Sequence, residues 1–235
     1  EALSGLDKEV LHRDVSSVVH DHRLVEDHSI FVALDGTTVD SHQFISEARA
    51  SNAALIVGSH SLSDELAPDV TVRSPRAIIG PLADLFQDSP SSKMNLVGIT
   101  GTNGKTTISY LYTSIIRAHK RHCFTMGTTG ILLDGEKTAD SQTTPDPLVA
   151  HQYFNEFLVR EILDGALEVS SHALDQFRVL GTEFSAVAFT NFSQDHLDYH
   201  EDMDSYFQAK AMLFSNVYSP CAVINIDDPK GIELI

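Results

Sequence analysis

The chain has 235 residues, 16 basic against 33 acidic, for a net charge of −17, and 42% of its residues are hydrophobic. Such a balance buries a sizeable core and excludes a disordered chain, while the negative field opposes nucleic acid as a partner. No apolar run approaches the roughly 18 residues of a membrane span, and the N-terminus lacks a signal-like segment, so a cytoplasmic, monomeric protein without a membrane partner is expected.

In chain order, residues 29–34 read as a strand that stops at Asp35 and Gly36, residues 43–50 have helical composition, and residues 53–58 read as a second strand. Residues 76–86 close this stretch as a helix, which makes a small α/β domain over 1–90. The polar, proline-containing run 88–93 is the expected linker, with the second domain at 91–235. There the short apolar runs 96–100, 166–169, 186–190 and 222–225 suit buried strands of a mainly parallel sheet, with helical stretches between them. Cys123 and Cys221, far apart and outside any CxxC pattern, fit the core of a protein from a reducing compartment. In an open α/β sheet, ligands collect past the carboxyl ends of the strands, so the polar residues there are the ones to inspect.

The first such place is a strand followed by Gly101, Thr102, Asn103, Gly104, Lys105, Thr106 and Thr107 and then a helical stretch, the context of a phosphate-binding loop. Its glycines let backbone N–H groups face an anion, Lys105 reaches the outer phosphates, and the Thr106 hydroxyl is placed to ligate Mg²⁺. The strict pattern needs a glycine five residues before Gly104, where Ile99 stands; Gly101 gives a shorter arrangement. ATP or GTP binding follows.

Glu168 ends a buried strand run and offers a hard oxygen ligand for Mg²⁺. His196 and His200, spaced i, i+4 among Asp195 and Asp198, read by themselves as a transition-metal hydrolase site. Lys210, on an amphipathic run, reads by itself as surface charge. Arg178 has the paired donors to clamp a carboxylate or phosphate.

The run 98–107 resembles the nucleotide loop of the Mur ligases, which use this compact glycine spacing. Residues 168–174 (EVSSHAL) and 190–200 (TNFSQDHLDYH) resemble signature segments of the members that add the third residue of the peptidoglycan stem peptide. Thr143, Thr144 and Pro145, and Ala209 with Lys210, continue the order, and residues 21–23 and 30–36 resemble the family's UDP-binding domain. The likeness covers essentially the whole chain.

The resemblance implies an ATP-dependent amide ligase with Mg²⁺. It phosphorylates the free carboxylate of UDP-N-acetylmuramoyl-L-alanyl-D-glutamate and lets the amine of an amino acid attack the acyl phosphate. Lys105, Asn191, His196 and Lys210 are then catalytic. Thr106, Glu168, His196 and Lys210, the last as a CO₂-derived carbamate, hold metal. His22, Thr37, Thr38, Val39, Gln142, Thr143, Thr144, Ser170, Gln176 and Arg178 hold the nucleotide-sugar dipeptide. His22 stands where the family usually has serine. The incoming amino acid is L-lysine or meso-diaminopimelate, with residues 38–42 leaning toward lysine. A third domain would follow Ile235, so the chain is expected to be inactive alone. A folate polyglutamate ligase and a nucleotide-binding module without turnover remain as alternatives.

Overall fold

A computed structural model describes residues 14–36 and 39–235. The chain divides between Leu82 and Ala83 into two compact units. In the first, β1 (Ser17–Val19), β2 (Ser29–Val32), β3 (Leu55–Gly58) and β4 (Val70–Thr71) form a parallel sheet in the order β1-β2-β3-β4. Every residue of β2 is buried, as its continuous apolar run requires of a strand covered on both faces. Helix α1 (Ile45–Ala50) follows a 3-10 turn capped by Asp40, whose carboxylate accepts from the His42 N–H. Ile45 and Ala48 pack with Phe31, Ala33 and Ile56 in this unit's core.

Helix α2 (Arg76–Phe86) spans the division. The run 88–93 is not a free linker but packs within the second unit. Buried Ser91 donates to Asp84 Oδ1 (2.9 Å) and accepts from the Glu183 N–H (3.1 Å), which keeps Pro90 and Ser91 from solvent while Asp88, Ser92 and Lys93 stay exposed.

The second unit is built on β5 (Asn95–Thr100), α3 (Lys105–Ala118), β6 (Cys123–Gly127), β7 (Gly130–Leu133) and β8 (Glu136–Ala139). After these come α4 (Pro147–Val159), β9 (Asp164–Glu168), α5 (Ser171–Asp175) and β10 (Ala186–Phe189). Helices α6 (Leu197–His200) and α7 (Met203–Ala211), strand β11 (Ala222–Ile224) and α8 (Pro229–Leu234) close the chain. Its sheet runs β11-β10-β5-β9-β6-β7-β8, parallel from β11 to β6, with β7 and β8 added antiparallel. Phe124 of β6 meets Phe154 and Phe157 of α4, burying one face. Cys123 is buried, but Cys221 is exposed just before β11, correcting its expected place in the core. No helix among the described residues is long and apolar enough to cross a membrane.

From β5 the chain moves to β6, beyond β9, whereas from β9 it crosses back over β5 to β10. The connections therefore leave the carboxyl ends of β5 and β9 in opposite directions. That divergence opens a crevice where ligands bind in such sheets.

Candidate active site

The loop after β5 is shaped by two glycines at positive φ, Gly101 (145°) and Gly104 (86°). A Cβ on Gly101 would fall 1.9 Å from Thr190 Oγ1, so the loop lies hard against the residues that follow β10. Asn191 straps it there. Its side-chain oxygen accepts from the Asn103 N–H (2.9 Å), its amide donates to the Asn103 carbonyl (3.0 Å), and its own carbonyl accepts from the Thr102 N–H (2.9 Å). Thr190 Oγ1 adds a 2.6 Å bond to the Asn103 carbonyl. Lys105, the first residue of α3, folds its amine back onto the carbonyls of Gly101 and Thr102, each at 2.9 Å. Burial lowers its pKa, while Glu168 and Asp195 pull the other way.

Glu168, the last residue of β9, is 2% exposed. Its Oε2 accepts from the hydroxyls of Thr106 (2.8 Å) and Thr128 (3.1 Å), and its Oε1 from the Thr128 N–H (3.2 Å). Gly127 makes room for it, since a Cβ there would lie 2.1 Å from Oε1. A buried carboxylate beside a threonine hydroxyl, at a helix N-terminus and next to a lysine, is a hard-oxygen donor set that fits Mg²⁺ together with phosphate.

Lys210 is not surface charge. It is 1% exposed on α7, its amine donates to the Gly101 carbonyl (2.9 Å), and the ring of Tyr206 lies 4.6 Å beneath it. Two lysine amines thus share one carbonyl, and burial together with the Lys105 charge moves Lys210 down to about 7.

His196 caps α6 in a left-handed conformation (φ 52°) and is 43% exposed at its side chain, 3.5 Å from Asp195. His200, its i+4 neighbour, instead turns inward and sets Nε2 2.9 Å from Ser171 Oγ. The pair therefore does not act as two ligands of one ion, which removes the hydrolase reading. Among the described residues, the His/Asp group within ligand distance of one another is Asp35, Asp40, His42 and His60 in the first unit. There His42 Nε2 accepts from the Ser59 N–H, so Nδ1 carries the proton that it donates to Asp40 (2.6 Å), and no lone pair of this imidazole is left for an ion.

On the other side of Glu168, Thr144 Oγ1 donates to the Glu168 carbonyl (2.8 Å) and accepts from the Ser170 N–H (3.0 Å). Ser170 caps α5 through the Ala173 N–H (3.2 Å). Arg178 donates to Gln176 Oε1 (2.8 Å from Nη2), to the Thr144 carbonyl (3.2 Å) and to Gln142 Oε1. Thr143 Oγ1 lies 3.3 Å from Thr128 Oγ1. A cleft of about 330 Å³ joins these six residues to Lys105 and His196. It also takes in Thr128 and His172, which sequence reasoning missed. Thr128 lies in a two-residue turn that only the pairing of β6 with β7 reveals. His172 stands within the 168–174 segment, but its position against the rings of His196 (4.9 Å) and Tyr199 (4.1 Å) exists only in the fold. Across the loop, Thr107, Ile108, Phe189 and Ile224 help line a mostly apolar cleft of about 490 Å³.

In the first unit, His22 stacks on Phe44 (3.7 Å between centroids) with Nε2 3.4 Å from Glu47. Val39 is half-exposed, and Thr37 and Thr38 lie outside the described residues.

A family model described as the Mur ligase middle domain matches residues 99–235. The UDP-N-acetylmuramoyl-L-alanyl-D-glutamate–2,6-diaminopimelate ligase of Bacillus cereus is 40% identical over 222 residues, 92% of this chain and 45% of that protein. A solved structure of a ligase of the same name superposes with a TM-score of 0.80 at 28% identity, over 94% of this chain and 45% of that one. Folylpolyglutamate synthase of Mycobacterium tuberculosis, complexed with ADP and AMPPCP, is similar in fold alone, with a TM-score of 0.51 at 17% identity over 68% of this chain and 43% of its own. The chain spans about half the length of the curated relatives it matches.

Proposed function

The chain belongs to the Mur ligase family, and from that premise we propose that it forms the nucleotide-binding and UDP-sugar-binding parts of an ATP-dependent amide ligase. The enzyme adds the third amino acid to UDP-N-acetylmuramoyl-L-alanyl-D-glutamate in peptidoglycan synthesis. The observation that carries this reading is the single cleft linking the loop's Lys105 to Thr144, Ser170, Gln176 and Arg178, with the Glu168 carboxylate against Thr106 beside it. One end has the groups to hold a polyphosphate and its metal, and the other a clamp for an anionic acceptor.

The acceptor carboxylate attacks the γ-phosphorus of ATP, ADP leaves, and the amine then attacks the carbonyl of the acyl phosphate to expel inorganic phosphate. Two anions must meet in line, so positioning and charge screening are the main catalytic demands. Thr106 and Glu168 would hold one Mg²⁺, and His196 with carbamylated Lys210 a second; bound there, the ions screen carboxylate from phosphate. Lys105 is placed to follow the transferring phosphoryl group. Asn191 keeps the loop in shape for both. Arg178, with Gln142 and Gln176, orients the acceptor, and the apolar cleft across the loop has the size and character for the nucleotide's base.

The carbamate is supported by the paired amines on the Gly101 carbonyl. Burial beside the Lys105 charge disfavours a second ammonium and leaves Lys210 a nucleophile toward CO₂, and an anion formed in its place is attracted to Lys105. The first unit, with His22 and the segment at 37–39, is read as the holder of the UDP moiety. Most of it falls within the 92% of the chain that aligns with the Bacillus cereus ligase, whereas the folate enzyme covers 68% of the chain. ATP and a nucleotide-sugar are intracellular substrates, which places the enzyme in the cytoplasm.

The names of the relatives favour diaminopimelate over the lean to lysine that residues 38–42 suggested. The test is product formation by the full-length protein with ATP, Mg²⁺, the UDP-sugar dipeptide and either amino acid in parallel. A nucleotide-linked tripeptide containing meso-diaminopimelate is expected; formation of the lysine product alone overturns the choice of amino acid, and no product with either overturns the ligase reading.

A further inference from the structure

Three segments that build the site are tied at one buried hydroxyl. Thr102 of the loop donates from Oγ1 to the Ser193 carbonyl (3.2 Å) and accepts from the Ser193 N–H (3.0 Å). Its single proton is thereby spent, so the Tyr206 hydroxyl, 3.2 Å away, is the donor of the third bond. Tyr206 is fully buried on α7, its ring centroid 4.9 Å from that of Phe192 and 5.2 Å from that of His200. One turn further along the same helix, the Lys210 amine sits 4.6 Å above that ring and donates to the Gly101 carbonyl. One side chain therefore touches both the loop and the lysine.

We propose that Tyr206 is a positioning residue for the Lys210 carbamate: its ring sets where the amine stands, and its hydroxyl fixes that position relative to the phosphate loop through Thr102. This rests on the carbamate reading above. In the modification, the lone pair of the neutral amine attacks the carbon of CO₂, a C=O electron pair moves onto oxygen, and the displaced N–H proton passes to water, leaving N–COO⁻. The ring face attracts a cation and repels an anion. Van der Waals contact with the ring face holds the neutral Lys210 amine in place and, because that face disfavours an anion, the new carbamate oxygens turn away from the ring. The hydroxyl bond keeps helix and loop in step, so those oxygens keep a constant place relative to the phosphate loop.

The full-length protein and its variants are weighed intact under mild conditions, in air-equilibrated buffer and with added bicarbonate, and kcat and KM for ATP are measured in the same buffers. Wild type is expected to carry the mass of one CO₂. Tyr206→Phe keeps the ring, and so keeps that mass, but loses about tenfold in kcat with little change in KM, and adds no further loss when combined with Thr102→Val. Tyr206→Leu loses the added mass in air-equilibrated buffer and regains it, with part of the activity, in bicarbonate. Full added mass in Tyr206→Leu without bicarbonate overturns the role of the ring while leaving the carbamate in place. Independent, additive losses in the Tyr206→Phe and Thr102→Val pair overturn the tie to the loop, a readout that stands even if Tyr206→Leu does not fold. An active wild type with no added mass overturns the carbamate and this role with it.

Discussion

At the scale of single residues, burial decides what the charged groups of the site can do. Lys105 reaches over the loop with its amine on two carbonyls, a position from which it can transfer its bonds to phosphate oxygens. Lys105→Ala should lower kcat by roughly a hundredfold to a thousandfold or more, with the circular dichroism spectrum unchanged. Lys210 offers a second check, because burial brings it down to about 7, well under the ordinary lysine range. Between those values the unfolded chain binds a proton that the folded chain lacks, so in CO₂-free buffer stability rises with pH across that window. Below about pH 7 both states are protonated, and the cost of a buried ammonium is fully present. Lys210→Met should flatten the rise, as measured by denaturant midpoints at several pH values. The motif residues were legible in sequence because their order along the chain is itself informative. The burial of Lys210 was not, since an amphipathic run does not say which face meets a loop more than 100 positions earlier.

Among the secondary-structure elements, those that carry the site are the ones sequence reads best. Strand β5 is a short apolar run closed by a glycine-rich turn, and α3 begins at Lys105, where the loop ends. Strands β1 and β4, three and two residues long, are too short to show a pattern. Strand β8 reads Glu-Lys-Thr-Ala and is mostly exposed at the sheet edge, where charged side chains are favoured over apolar ones. The turn before it holds Asp134 and Gly135 at positive φ, a hairpin signal that the Asp-Gly pair carries in the sequence itself. Packing between elements sets a sharper constraint at Gly127, the end of β6, where β9 presents Glu168. Gly127→Ala forces a Cβ against that carboxylate and should cost about 1–3 kcal/mol in chemical denaturation while weakening Mg²⁺-dependent nucleotide binding. Unchanged stability and binding would show that the carboxylate has room to move.

For the molecule as a whole, the excess of 33 acidic over 16 basic residues means that the anionic substrates proposed for it would be held by local arrangement rather than long-range attraction. The division between the two units at Leu82 and Ala83 falls inside α2, where no change of composition marks it. In the proposed reaction, a carboxylate meets the γ-phosphate in the cleft before any amine is used. The most direct measurement follows an oxygen atom. The UDP-sugar dipeptide is prepared with heavy oxygen in its free carboxylate and turned over by the full-length protein with ATP and meso-diaminopimelate. If that carboxylate attacks phosphorus, one labelled oxygen appears in the released inorganic phosphate; phosphate released without label contradicts the acyl phosphate route and the role given to this cleft.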